Sequence, residues 1–164
     1  KIWFARNHKV SSPNTLLLDN ALATMGAGLP SAIAAKLLNP DKQVVAVVGD
    51  GGLMMTVGEL ETAKRLGLDL TVVVLNDNGF GMIKWKQEAE GFKDYGLSFS
   101  NPDFIQLAES YGARGHRVSK AGELMMLLRK AQEEKGLHLI EVPIDYTEND
   151  RVFTKGLKNL VCPV

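Results

Sequence analysis

Residues 43–52, QVVAVVGDGG, are the strongest indication of the fold, because a continuous apolar run leads directly into a glycine cluster that carries one acid, Asp50. Residues 70–79, LTVVVLNDNG, repeat the pattern, and here the acid is Asp77. Runs that are apolar at every position are typical of parallel strands whose two faces are both covered. The two stretches therefore predict two parallel strands, each followed by an acidic turn that contains glycine.

The rest of the chain alternates strands with helices. We predict further strands over residues 115–118 and 137–142, and helices over residues 30–38, 57–66, 82–90, 103–111 and 121–135. Such alternation is typical of βαβ units. The expected fold is α/β: a three-layer, doubly wound, mostly parallel sheet with helices on both faces.

Local details of the helices can also be predicted. Asn101 is the expected N-cap of the helix at residues 103–111, since Pro102 suits a first turn. Ser119 is the expected cap of the last helix. We expect the methionine pairs at 54–55 and 125–126 to lie in the core. From Pro143 onward no pattern is visible, which predicts an extended or poorly ordered end.

Composition excludes several classes of function. The 164 residues include 19 Lys+Arg and 19 Asp+Glu, so the net charge is zero and there is no basic surface for nucleic acid or an anionic membrane. The single cysteine, Cys162, permits no intrachain disulfide, which fits a reducing compartment. The longest aliphatic runs are far too short to span a membrane. We expect a cytoplasmic protein without nucleic-acid or membrane partners.

The two acidic turns predict a ligand site. Ligands of open parallel sheets bind beyond the carboxyl ends of the strands, so neighbouring strands would bring Asp50 and Asp77 side by side. Two adjacent carboxylates repel each other, and Mg²⁺ with diphosphate oxygens would relieve that repulsion. Amides of Gly51 and Gly52 can approach a phosphate closely. Each turn alone is ordinary turn chemistry, and the pairing at consecutive strand ends favours a functional site.

Gly49-Asp50-Gly51, followed one helix and one strand later by Asn76-Asp77-Asn78-Gly79, resembles the thiamine-diphosphate motif of the pyruvate-decarboxylase-like superfamily. Other segments resemble acetolactate synthases, and they cover residues 24–32, 59–63, 76–83, 108–113 and 142–146. The resemblance covers roughly residues 1 to 150. It implies a thiamine-diphosphate- and Mg²⁺-binding domain over residues 1–146, incomplete at its N-terminus, and a C-terminal tail over residues 147–164.

The resemblance also implies roles for individual residues. The metal ligands would be the carboxylates of Asp50 and Asp77 and the backbone carbonyl of Gly79. Most relatives have asparagine where this chain has Asp77, and catabolic-type acetolactate synthases resemble it in having the acid. Met25 would wedge under the bent cofactor, although plain core packing is the alternative for this residue. The implied cofactor-binding residues are Met25, Gly49, Asp50, Gly51, Gly52, Asp77, Gly79, Phe80, Gly81 and Met82.

No catalytic residue is expected on this chain. In the family the activating glutamate lies on another domain, usually of a neighbouring subunit, so the resemblance implies a homo-oligomer and an inactive isolated chain that begins inside a larger protein. The parent would decarboxylate pyruvate and join the two-carbon unit to a second 2-oxo acid, in branched-chain amino acid or acetoin formation. Two alternatives remain open: another 2-oxo-acid enzyme, such as a benzoylformate decarboxylase-like or sulfoacetaldehyde acetyltransferase-like one, and a non-catalytic α/β binding or assembly module.

Overall fold

A computed structural model of the chain describes residues 2–19, 22–149 and 151–152. The helices are α1 (Ile2–Asn7), α2 (Gly28–Leu38), α3 (Asp50–Met55), α4 (Glu59–Arg65), α5 (Gly81–Ala89), α6 (Phe104–Ser110) and α7 (Glu123–Glu134). The strands are β1 (Val44–Gly49), β2 (Leu70–Asn76), β3 (Arg114–Arg117) and β4 (Leu137–Pro143). The predicted strands agree with these to within one residue at each end.

The four strands form one sheet in the order β1-β2-β4-β3, and all neighbours run parallel. In this register Gly49 lies beside Leu75, and Asn76 lies beside Pro143. The carboxyl ends of β1, β2 and β4 therefore meet at one edge of the sheet. The turns that follow β1 and β2 start from that edge.

The main core lies on one face of the sheet. Alternate residues of a strand point to opposite faces, so Ala46, Val72, Val74 and Leu139 share this face and are buried. Helices α2, α3, α4 and α6 cover it with Leu29, Leu53, Leu60 and Phe104, all at most 1% exposed. Each such side chain contributes roughly 1.5–3 kcal/mol by leaving water. Gly28 allows α2 to approach β1, because a Cβ there would meet Cγ1 of Val48.

The second face is covered mainly over its centre. Val73 and Ile140 are neighbours in register on this face and are buried, and α7 packs against β4 with Ala131. Val45 and Val47 of β1 belong to the same face and are each 40% exposed. The three-layer α/β fold is confirmed.

The helix that follows β1 begins earlier than predicted. The prediction was one helix over residues 57–66, whereas the chain turns into α3 directly at Asp50 and then forms α4. Gly49 is the N-cap of α3, with extended backbone. Asp50, Gly51 and Gly52 thus form the first turn of a helix, not an open loop.

The predicted caps were wrong for two helices. The N-cap of α6 is Asp103, whose carboxylate accepts hydrogen bonds from the amides of Ile105 and Gln106. At α7 the carboxylate of Glu123 accepts from the amides of Ser119 and Lys120, so Ser119 contributes its backbone and not its side chain. Pro102 had suggested a helix start, but the chain remains extended for one more residue before the helix begins.

The two methionine pairs were also placed wrongly by the sequence. Met55, Met125 and Met126 are between 56% and 60% exposed, and Met54 is 36% exposed. The reason is helical geometry: on α3 the side chain that faces the core is Leu53, and on α7 it is Ala131. A pair of consecutive apolar residues on a helix cannot place both side chains on one narrow buried stripe.

No helix in the described ranges is long and apolar enough to cross a membrane. The predicted boundary between domain and tail at residue 146 stays a prediction. Residues 153–164 of that tail lie outside the described residues.

Candidate functional site

Asp50 is the most buried acid of the site, at 2% exposure. Its Oδ1 accepts a hydrogen bond from the amide of Gly51 at 2.8 Å, and its Oδ2 accepts from the amide of Asn78 at 2.8 Å. The side-chain amide of Asn101 donates to the same Oδ2 at 2.7 Å. The first turn of α3 and the turn after β2 are therefore joined through one carboxylate.

Asp77 lies against Asp50, as the strand register predicts. Burial raises the pKa of Asp77, and the charge and hydrogen bonding of the Asp50 carboxylate raise it further, while hydrogen bonds from the Tyr146 hydroxyl and the Gly79 amide lower it. The same surroundings raise the pKa of Tyr146, first through burial and then through the charge of Asp77. The two carboxylates thus repel each other at close range, which is the condition that a bound cation relieves.

Two glycines of the motif have no room for a side chain. A Cβ on Gly51 would lie 2.9 Å from Cε1 of Phe80 and 3.2 Å from Cζ of Phe99. A Cβ on Gly81 would collide with Oδ2 of Asp77 and lie 2.8 Å from the hydroxyl of Tyr146. At these two positions a larger residue would displace the side chains around the two acids, so the packing favours glycine.

The turn after β2 is held from outside by residues 97–99. The amide of Phe80 donates to the carbonyl of Leu97 at 2.9 Å, and the amide of Phe99 donates to the carbonyl of Asn78 at 3.1 Å. The rings of Phe80 and Phe99 pack at 4.9 Å between centroids. This antiparallel contact carries the chain from residue 97 back to the site and delivers Asn101 to Asp50.

A groove of about 550 Å³ opens beside Asp77 and Gly79. It runs along the start of α5, and its walls include Gly81, Trp85 and Tyr146. Phe80 is the N-cap of α5 and Gly81 its first residue, so the helix begins at the groove. The groove offers space for a ligand next to the two acids.

Met25 and Met82 are exposed, at 42% and 44%. Core packing, the alternative for Met25, is therefore wrong. Gly26, which follows Met25, has φ of +90° and contacts α3: the hydroxyl of Thr56 donates to its carbonyl at 2.9 Å. The backbone next to Met25 is thus tied to the helix that begins with Asp50.

Sequence reasoning missed four residues that build the site: Asn76, Asn101, Glu141 and Tyr146. The buried carboxylate of Glu141 accepts from the Asn76 side chain and from Arg117 Nε, both at 2.7 Å. One signal was available for Glu141, because an acid within a largely apolar strand needs a partner. Asn101 and Tyr146 carried no such signal, since a polar residue between regular elements is ordinary.

The oxygen atoms of the site fit a hard divalent cation that takes only a few of its ligands from the protein. No group of three or more His, Cys, Asp or Glu side chains that could hold a metal occurs within the described residues. The predicted set needs only two carboxylates and one backbone carbonyl, with further oxygens from a diphosphate or water, as Mg²⁺ prefers. The close contact between Asp50 and Asp77 is the observation that supports this fit.

Comparison with known proteins agrees with this geometry. The family described as thiamine pyrophosphate enzyme, C-terminal TPP binding domain, matches residues 1–142. Acetolactate synthase of Bacillus subtilis (strain 168) is 38% identical over 148 residues, which are 90% of this chain and 26% of that protein. The acetolactate synthase isozyme 2 large subunit of Escherichia coli (strain K12) is 34% identical over 152 residues, 91% of this chain and 28% of that protein.

A solved structure is also similar. The thiamine diphosphate-dependent 4-hydroxybenzoylformate decarboxylase of Rhodococcus jostii RHA1 superposes with a TM-score of 0.70 at 30% identity, over 76% of this chain and 24% of that one. The chain thus spans about a quarter of the length of these relatives. By sequence and by fold, the chain belongs to the thiamine pyrophosphate enzyme family, as its C-terminal TPP-binding domain.

Proposed function

We propose that the edge of the sheet beyond β1 and β2 binds the diphosphate of thiamine diphosphate through a Mg²⁺ ion. Asp50 and Asp77 supply carboxylate ligands and Gly79 a backbone carbonyl. The observation that carries this proposal is the contact between two carboxylates at adjacent strand ends, with the pKa of Asp77 raised by burial and by Asp50. A cation between them removes the repulsion and presents positive charge to a diphosphate.

The other residues of the site shape the cofactor cleft. Gly49, Gly51 and Gly52 surround the N-terminus of α3, whose amides and dipole favour an anion. The amide of Gly51 already donates to Asp50, so Gly52 is the better placed of the two to meet a phosphate oxygen. Phe80, Gly81 and Met82 form the N-cap and the first two positions of α5. Met25 is exposed and available for contact with the cofactor.

As part of a larger assembly, the domain would serve an acetolactate synthase-like reaction. Thiamine diphosphate supplies the electron sink that lets a 2-oxo acid lose carbon dioxide. The substrate would be pyruvate, joined after decarboxylation to a second 2-oxo acid, with the activating glutamate on the pyrimidine-binding domain of a neighbouring subunit. The similarity to two acetolactate synthases supports this choice. We place the assembly in the cytoplasm, as a homo-oligomer in branched-chain amino acid or acetoin formation.

A benzoylformate decarboxylase-like activity is the second candidate. It is favoured by the structural similarity to 4-hydroxybenzoylformate decarboxylase. The two candidates differ in product, because one forms a carbon–carbon bond and the other releases an aldehyde. Product analysis of the complete protein, supplied with pyruvate or with benzoylformate, separates them.

Calorimetry tests cofactor binding by the chain itself. Titration of thiamine diphosphate into the 164-residue chain should show binding that requires Mg²⁺ and disappears with EDTA. Asp50→Ala should abolish it. The matched control is Asp41→Ala, which removes an exposed acid far from the site. Binding by Asp50→Ala that equals the control would rule out the metal assignment.

A further inference from the structure

Asn101 is a residue of the site whose side chain neither the sequence motif nor the cap of α6 explains. It precedes α6, yet the capping hydrogen bonds of that helix come from Asp103. The Asn101 side chain instead points into the acid cluster. Its Nδ2 lies 2.7 Å from Oδ2 of Asp50, 3.0 Å from Oδ1 of Asn76 and 3.2 Å from Oδ1 of Asn78.

The orientation of the Asn101 amide is fixed by its neighbours. All three contacts are made to oxygen atoms, so a flipped amide would place Oδ1 against three acceptors. An amide nitrogen has only two hydrogens, so it cannot make three full hydrogen bonds. The longest of the three contacts, to Asn78, is the weakest. The two short contacts, to Asp50 and Asn76, define the position of the side chain.

Asn76 is itself oriented by a buried charge. Its Nδ2 donates to Oε1 of Glu141 at 2.7 Å, and its Oδ1 therefore faces Asn101. Glu141 is 4% exposed and is held by Arg117, whose Nε donates to Oε2 at 2.7 Å. A continuous chain of hydrogen bonds thus runs from the ion pair on β3 and β4, through Asn76, to Asn101 and Asp50.

Asn101 has one unsatisfied end. Its Oδ1 is buried and makes no hydrogen bond within the described part of the chain. Buried polar atoms in native proteins are nearly always paired, and an exception needs an explanation. An explanation here is that the nitrogen end is required at Asp50, and no orientation satisfies both ends.

We propose that Asn101 is a positioning residue that fixes the Asp50 carboxylate for the divalent cation, and that the Glu141–Asn76 pair holds Asn101 in place. A neutral amide donor suits this task, because it restrains a carboxylate oxygen without bringing a positive charge that would compete with the cation. The inference rests on the proposed function of the site. It adds a residue that lies outside the motif and 51 positions from Asp50.

Cation selectivity tests the proposal. Mg²⁺ demands near-ideal octahedral geometry, whereas Ca²⁺ accepts flexible geometry. The measured quantity is the Mg²⁺ concentration that gives half-maximal binding of thiamine diphosphate to the 164-residue chain in calorimetry. Asn101→Leu should raise it by about 10- to 100-fold, as loss of residues behind metal ligands commonly does. The half-saturating Ca²⁺ concentration should change several-fold less. A residue with a merely structural role would weaken both cations equally.

Gln106→Leu is the matched control, since it removes an exposed amide from α6 itself. Thermal unfolding without cation reports the stability of each variant, and Asn101→Ser replaces Asn101→Leu if the latter does not fold. An unchanged Mg²⁺ requirement, or equal losses for Mg²⁺ and Ca²⁺, overturns the role of Asn101. If the unaltered chain itself shows no cation-dependent binding, the proposed function fails, and the role of Asn101 fails with it.

Discussion

Asp50 and Asp77 end neighbouring strands, but their surroundings differ. Asp50 accepts three N–H donors and is held firmly between two turns. Asp77 accepts from Tyr146 and Gly79, and its pKa is raised by burial and by Asp50. The ionised form of Asp77 is therefore the one that strains the cation-free site. A bound cation would stabilise that form.

This difference predicts the effect of Asp77→Asn. The pKa of Asp77 is raised from 3.8 on folding, so ionisation destabilises the cation-free protein as the pH rises through the raised value. Asp77→Asn removes this loss and keeps an oxygen ligand. In EDTA, its thermal midpoint should exceed that of the unaltered chain at pH 7 and approach it at pH 4, with Asp41→Asn as the control. An equal pH dependence of both proteins would contradict the raised pKa.

The connection from α2 to β1 positions the strand that leads to Asp50. Lys36 is 6% exposed, although it is a lysine, and its Nζ donates to the carbonyls of Pro40 and Lys42, each at 2.8 Å. One side chain thus closes the end of α2 and fixes the entry into β1. Both carbonyls lie between α2 and β1, outside either element, and the lysine supplies a donor to each of them.

Lys36→Met should destabilise the chain by about 1–3 kcal/mol, because the carbonyls of Pro40 and Lys42 lose a charged donor in partly buried hydrogen bonds. Urea unfolding followed by circular dichroism measures this change. Lys42→Met is the control, since the Lys42 side chain is exposed and only its carbonyl is bound. The interpretation is wrong if both variants lose the same stability.

Elements and caps differ in how far the sequence predicts them. In strands such as residues 70–75 every residue except Thr71 is apolar, and this pattern correctly predicts β2. The N-cap of α6 depends on where the extended segment before this helix ends. The position of that segment is set by residues 97–99, which hydrogen-bond to the turn after β2. Because this contact joins distant parts of the chain, Asn101 could be read only as a local cap.

The order of the strands in the sheet explains which residues of the site could be predicted from the sequence. The juxtaposition of Asp50 and Asp77 follows from two parallel neighbours, β1 and β2. Glu141 lies 65 positions from Asn76 in the sequence. It reaches the same edge of the sheet only because β4 pairs with β2. Strand order of that kind is decided by the packing of all helices, and no local pattern announces it.

The global stability should depend on pH through His116, which lies on β3 next to His138 of β4. His138 is fully buried, its ring stacks on His116, and Nδ1 lies 3.3 Å from Nε2 of His116. Burial lowers the pKa of His116 from 6.5, and the nearby charge of Lys130 lowers it further. The unfolded chain therefore takes up a proton near pH 6.5, while the folded chain does so only at lower pH.

The free energy of unfolding should fall as the pH drops below about 6.5. His116→Gln should reduce that fall, and urea unfolding at pH 7.5 and 5.5 measures it. His8→Gln, which alters an exposed histidine on α1's C-terminal side, is the control. The same loss between the two pH values in all three proteins would count against His116 as its source.

We propose that a divalent cation joins Asp50 and Asp77 to a diphosphate. Anomalous X-ray diffraction from crystals of the chain grown with Mn²⁺ and thiamine diphosphate can locate this cation. We expect one manganese peak, about 2.1 Å from a carboxylate oxygen of each acid and in contact with the carbonyl of Gly79 and the diphosphate. Diphosphate density with the manganese bound by other residues, or with none at these acids, would contradict it.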